Sequence, residues 1–230
     1  MRLDFLILCL GRTGSTHLQA LLDSHPRVRC LDELFSNSLY AAESHYAHAG
    51  EPSPRGYVAR ATAEVSEPVV GFKLPLNSVK AFPESLELLH DAELKVIRLS
   101  RRNLLAQYVS QQLKGQTGVS HSVQGDYGEP RIRLKPAAAL RHLQNAAFQE
   151  RLLDELARHN PVFRLDYEQL VAQERLDELQ GFLEVEPVEL RSWFQKLRTR
   201  PLPEVVTNWD EVAEALRGTA YERHADPAAA

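Results

Sequence analysis

Leu3-Asp4-Phe5-Leu6-Ile7-Leu8-Cys9-Leu10-Gly11-Arg12-Thr13-Gly14-Ser15-Thr16 is the stretch that decides the fold. Its apolar run, broken only by Asp4, stops at a glycine. A short apolar run bounded by turn residues suits a strand buried in a parallel sheet. From Ser15 to Ser24, Leu18, Leu21 and Leu22 recur at helical spacing, and His25-Pro26 ends the pattern because proline cannot continue a helix. The order is therefore strand, glycine-containing turn, helix. Open α/β sheets gather their ligands at the carboxyl ends of strands, where such a turn lies. A helix start offers backbone N–H groups and the positive end of the helix dipole, both suited to an anion. Gly11, Thr13 and Gly14 let the backbone approach a phosphate closely, Ser15 and Thr16 add hydroxyls, and Arg12 adds a permanent cation with a fork of donors.

Further strands are predicted at Glu67–Lys73, Leu94–Ser100 and Val162–Asp166, with helices over 103–114 and 136–159 between the later ones. Strands separated by helices imply an α/β fold with a mostly parallel central sheet and right-handed crossovers. Residues 115–135 are rich in Gly, Ser and Gln without a clean period and read as a lid or acceptor loop. The C-terminal third is read as helical over 176–182, 188–197 and 209–216, with a frayed tail at 226–230. No repeat or linker divides the chain, so one domain over 1–230 is expected.

With 230 residues, the chain is long enough to bury a core without disulfides or a structural metal. Its net charge of −4 argues against a general nucleic-acid binder, although one small anion needs only a few local cations. Cys9 and Cys30 form no disulfide framework and no zinc spacing, and no metal is expected. The longest apolar stretch is too short to span a bilayer and carries no cleavage-site pattern, so a cytoplasmic protein without a membrane span is expected.

The turn after the first strand is not a Walker A loop, which would read GxxxxGK followed by Ser or Thr. Here Ser15 follows the second glycine at a shorter spacing. A second anion site is legible in Lys95-Val96-Ile97-Arg98-Leu99-Ser100-Arg101-Arg102-Asn103. Cations are disfavoured at a helix N-terminus, so Arg101 and Arg102 there imply a compensating anion. Ser110, eight residues beyond Arg102, is just over two turns along and can share its face.

Arg12-Thr13-Gly14-Ser15-Thr16 resembles the 5'-phosphosulfate loop of sulfotransferases that use 3'-phosphoadenosine-5'-phosphosulfate (PAPS): a basic residue, then Ser/Thr-Gly-Ser/Thr-Thr. The strand leading to Arg102-Asn103, with Ser110 eight residues on, resembles their 3'-phosphate motif. Phe163–Leu170 resembles the strand-plus-YEDL segment, with Gln169 where an Asp is usual, and Thr207–Val212 the "NW-x-E-L" helix start of carbohydrate sulfotransferases. The resemblance implies a P-loop-related fold, PAPS as co-substrate with PAP as product, and a small-molecule or carbohydrate acceptor. It assigns nucleotide binding to Arg12, Thr13, Gly14, Ser15, Thr16, His17, Arg102 and Ser110. Arg198 and Thr199 join them from the basic stretch that closes over the nucleotide in such enzymes.

Glu33, in Cys30-Leu31-Asp32-Glu33-Leu34-Phe35, resembles the glutamate base of bacterial and carbohydrate members, with Asp32 the close rival and His17, His45 and His121 further alternatives. Lys73, ending its strand, resembles a family lysine in a "G-x-K" segment, and with Arg12 and Glu33 completes the catalytic set. Tyr40, Tyr46, Tyr57 and Tyr127 are available to stack on an acceptor ring or to serve as ordinary surface. Two rival readings are a P-loop small-molecule kinase and a non-catalytic nucleotide-binding module.

Overall fold

A computed structural model of the chain describes residues 2–36, 46, 50, 53–117, 131–192 and 200–226. The strands are β1 (Phe5–Cys9), β2 (Val28–Leu31), β3 (Val69–Pro75), β4 (Lys95–Ser100) and β5 (Val162–Asp166). They form one sheet of order β2-β3-β1-β4-β5 in which every pairing is parallel. Helices follow the strands: α1 (Ser15–Asp23), α2 (Pro54–Ala61), α3 (Leu76–Ala81), α4 (Leu104–Thr117), α5 (Pro136–Leu156), α6 (Tyr167–Val171), α7 (Leu176–Phe182), α8 (Leu202–Val205) and α9 (Trp209–Leu216). The α/β class and the parallel sheet flanked by helices are as the sequence predicts.

The described residues cluster into two compact units: 1–100 with 150–192, and 101–149 with 193–230. The sheet belongs to the first. Its central strand β1 is buried along its whole length, which explains a run without polar alternation. Phe5, Ile7 and Cys9 share a core with Leu18, Leu21 and Leu22 of α1, Ile97 and Leu99 of β4, and Leu176 and Leu179 of α7. Phe5 lies opposite Gly71 on β3, and a Cβ there would stand 2.5 Å from the Phe5 ring; glycine lets the ring lie across the neighbouring strand.

Three expectations need adjustment. β2 was not anticipated: it is a four-residue edge strand whose exposed Arg29 interrupts the apolar signal. The helix expected over 188–197 is absent from its described part, 188–192. The Gln180 side chain there accepts from the Val188 N–H at 2.8 Å and donates to its carbonyl at 3.2 Å, drawing both groups away from helical pairing. Residues 118–130, the heart of the expected lid, lie outside the described residues, whereas 115–117 extend α4.

Arg98, within the stretch that carries the second anion site, is buried. It is 3% exposed, donates to the carbonyls of Leu8 at 3.2 Å, Leu99 at 3.1 Å and Glu150 at 3.1 Å, and pairs with the Glu150 carboxylate. Burial pushes the Glu150 carboxyl up from its ordinary value, with Arg98 opposing that shift.

In the second unit, Ile132 pairs with Val206 in a bridge, and Asn208 brackets Leu134, accepting its N–H at 3.0 Å and donating to its carbonyl at 2.9 Å. Asn208 also donates to Glu211 at 3.0 Å, so the Asn-Trp-Asp-Glu start of α9 serves to tie that helix to the 131–134 segment. Among the described residues no helix is long and apolar enough to cross a membrane.

Candidate active site

The site grows from the turn between β1 and α1. Arg12 has φ of 66° and Gly14 of 89°, so two left-handed residues flank Thr13. Such curled backbone lets successive N–H groups face one anion. A non-glycine residue in the left-handed region costs on the order of 1 kcal/mol or more, so the Arg12 conformation is held by its surroundings. Part of the holding is visible: Thr13 is fully buried and its hydroxyl donates to the Leu10 carbonyl at 2.9 Å. Thr13 thus shapes the loop with its side chain. Gly14 caps α1, its carbonyl accepting the Leu18 N–H at 3.0 Å, and Ser15, Thr16 and His17 make the first turn. Their N–H groups have no acceptor within their own helix, which is the general condition for an anion site at a helix start.

Burial pulls the Arg12 guanidinium down from its ordinary value, with Tyr167 pushing the other way; arginine remains cationic throughout. Burial also lowers His17, which keeps its ring neutral near pH 7. Cys9, at the root of the loop, is pushed up to about 11 by burial, and Cys30 is raised for the same reason. Neither is a reactive thiol.

Sheet register supplies the rest. Leu31, the last residue of β2, lies opposite Phe72 of β3, so the next residues, Asp32 just past β2 and Lys73 within β3, meet. Lys73 does not end its strand as the sequence suggested, because β3 runs on through Leu74 to Pro75. Lys73 is 3% exposed, and its Nζ stands 2.7 Å from Asp32 Oδ1 and 4.0 Å from Glu33 Oε1. It also donates to the Thr16 hydroxyl at 3.3 Å. The phosphate-type loop, the β3 lysine and the acidic pair, read from three separate stretches, are therefore brought together.

Behind Glu33 the chain is anchored by Phe35, which is fully buried against Phe72, Tyr46 and Tyr57 at ring distances of 5.8, 5.1 and 5.5 Å. Tyr57 is 5% exposed, so it is a core ring and no stacking platform. Tyr40, Tyr127, His45 and His121 lie outside the described residues.

Arg102 and Ser110 belong to the second unit. Arg102 is exposed beside buried Arg101, and Ser110 sits half-buried on α4. Asn103 between them is the helix cap: its Oδ1 accepts the Ala106 N–H at 2.9 Å. One contributor escaped the sequence reading. His224, 4% exposed in the last described turn, accepts the Leu104 N–H on Nδ1 at 3.4 Å and so closes the same helix start. Nothing in a lone histidine near the C-terminus signals that contact. Arg198 and Thr199 lie outside the described residues.

Comparison with known proteins bears on the fold and the family. A sulfotransferase from Alicyclobacillus acidocaldarius shares the fold at a TM-score of 0.55 and 14% identity, covering 93% of this chain and 91% of that one. A sulfotransferase domain from the curacin biosynthetic pathway aligns at 0.49 and 19% identity over 82% and 76% of the two chains. A mouse sulfotransferase complexed with PAP aligns at 0.48 and 13% identity over 97% and 88%. No curated protein matches the chain. The profile of the sulfotransferase family matches residues 4–118, half of the chain, and takes in the loop, Asp32, Glu33, Lys73, Arg102 and Ser110. The chain belongs to the sulfotransferase family.

Proposed function

We propose that the chain moves the sulfuryl group of PAPS onto a hydroxyl of a carbohydrate, a glycosylated metabolite or another small molecule, with Glu33 as general base. The observation that carries the proposal is the buried Lys73 ammonium, 3.3 Å from the loop hydroxyl of Thr16 and 4.0 Å from the Glu33 carboxylate. A cation, an anion-binding loop and a carboxylate share one sheet edge, and that donor set fits a phosphosulfate.

In this reading the N–H groups of the loop, Arg12 and the Thr16 hydroxyl hold the phosphosulfate, while Ser15 and His17 flank it on the first turn of α1. Glu33 takes the acceptor proton as the new oxygen–sulfur bond forms and the bond from sulfur to the phosphate oxygen breaks. Negative charge then grows on that phosphate oxygen, and Lys73 and Arg12 are the cations aimed at it; preorganised stabilisation of this kind is usually the largest catalytic contribution. Proton transfer to Glu33 is concerted with attack on sulfur. Arg102 and Ser110, with Arg198 and Thr199, keep the nucleotide-binding role that their motifs imply.

The test is calorimetric titration with PAP and, separately, with ATP plus Mg²⁺, in the native chain and Arg102→Ala. PAP binding without added metal, weakened at least about tenfold in the variant, is expected. Preference for Mg-ATP, or no PAP binding, sinks the reading and puts the kinase alternative first.

A further inference from the structure

We infer that Asp32 is a positioning residue, the counter-ion that fixes the Lys73 ammonium for transfer, and is not itself the base. The inference rests on the sulfuryl-transfer reading above. One oxygen of Asp32 makes two contacts: Oδ1 stands 2.7 Å from Lys73 Nζ and accepts the Glu33 N–H at 2.8 Å. The two partners differ sharply in environment, since the Lys73 side chain is 3% exposed and that of Asp32 is 78% exposed. A buried ammonium needs an anionic partner, whereas a solvated carboxylate keeps its charge at little cost. Asp32 thus holds the cation in place and, through the same oxygen, sets the backbone of the residue that takes the proton. Oδ1, engaged in both contacts, is poorly disposed to accept a proton from an acceptor hydroxyl, and the base role stays with Glu33 as in the reading above.

A negative charge at this place also opposes the anion that the loop binds, so Asp32 does not serve affinity. It serves direction: paired with Asp32, the ammonium stays against Thr16. With only the longer Glu33 contact of 4.0 Å in place of Asp32, it collapses onto the ground-state phosphate, which strengthens binding without favouring the transition state. Loss of the Asp32 charge therefore moves affinity and turnover in opposite senses. A merely structural residue would lower both.

The experiment is a double-mutant cycle of Asp32→Asn with Lys73→Met, with Asp32→Glu as the charge-retaining control. Asparagine keeps an oxygen for the Glu33 N–H and removes only the charge. Affinity is read by calorimetry with PAP, and turnover by conversion of PAPS and water to PAP and sulfate, in which a water oxygen replaces the phosphate oxygen on sulfur. Asp32→Asn should tighten PAP about threefold or more and slow turnover at least about tenfold. Asp32→Glu should return both toward native values, and in the Lys73→Met background Asp32→Asn should lose most of its effect.

Weaker PAP binding together with slower turnover, an equal effect in both backgrounds, or an Asp32→Asn chain that does not fold would each assign Asp32 another role and overturn the inference. A native chain that binds no PAP overturns the sulfuryl-transfer reading, and this inference with it. A native chain that binds PAP and turns over PAPS, with none of the opposed shifts in Asp32→Asn, overturns the inference alone.

Discussion

A Cβ atom on Gly14 would stand 2.7 Å from Cδ2 of Tyr167, so the phosphate-type loop is closed against the ring that opens α6. The contact joins the first loop of the chain to the strand-plus-helix segment that follows β5. It gives Gly14 two separate reasons to be glycine: the positive φ of 89° and the adjacent ring.

Gly14→Ala is accordingly expected to destabilise the fold by about 1–3 kcal/mol and to weaken PAP binding at least about tenfold. Adding Tyr167→Ala should relieve the steric part and leave the φ penalty, restoring only some of the stability. Thermal melts and PAP titrations of the two variants measure this. Full restoration would mean that the backbone conformation carries no strain.

Glu33→Gln separates base from binder. Turnover of PAPS should fall by between about a hundredfold and ten-thousandfold, with PAP affinity little changed. A variant that keeps native turnover would remove Glu33 from the chemistry and return the base role to a rival.

The His224 ring is pushed down to about 4, by burial first and by the neighbouring Arg223 charge second. The unfolded chain takes up a proton as the pH falls below the ordinary value of 6.5, while the folded ring stays neutral and keeps its contact with Leu104. Its contribution is thus present in full above pH 6.5 and is lost progressively as the pH falls toward 4. The loss amounts to up to about 3 kcal/mol. Urea midpoints of the native chain and His224→Gln across that window should converge as the pH drops. Parallel curves would show that another group governs the acid limb.

Arg98→Met removes the donors to the Leu8, Leu99 and Glu150 carbonyls and leaves the Glu150 carboxylate buried without its cation. A loss of about 3–5 kcal/mol is expected. Arg98→Lys should recover little of it, because an ammonium cannot reproduce the planar fork. Native stability in Arg98→Met would show that the network contributes nothing net.

The parts of this protein that the sequence determines by itself are local. β1, α1 and the loop between them follow from an apolar run, a glycine and a helical leucine spacing, because strand burial and helix faces are periodic in sequence. β5, predicted at Val162–Asp166, forms over those residues for the same reason, as does α9 over Trp209–Leu216. The loop motif and the Arg102-Asn103 strand end were legible because each is one short stretch whose chemistry is carried by adjacent residues.

What only the tertiary structure decided is pairing between distant stretches. The sequence put Glu33 ahead of Asp32 by resemblance, but it could not show how either carboxylate stands to Lys73, since that depends on the β2–β3 register, and β2 itself was hidden by Arg29. Arg101 read as a cation beside an anion site, yet it is buried, and Arg98 in the same stretch is the buried hub of a network with Leu8, Glu150 and Asp154. Tyr57 read as a possible platform and packs in a ring cluster. A residue type fixes which contacts a side chain is able to make; which of them it does make is set by the neighbours that sheet register and packing bring within a few ångströms.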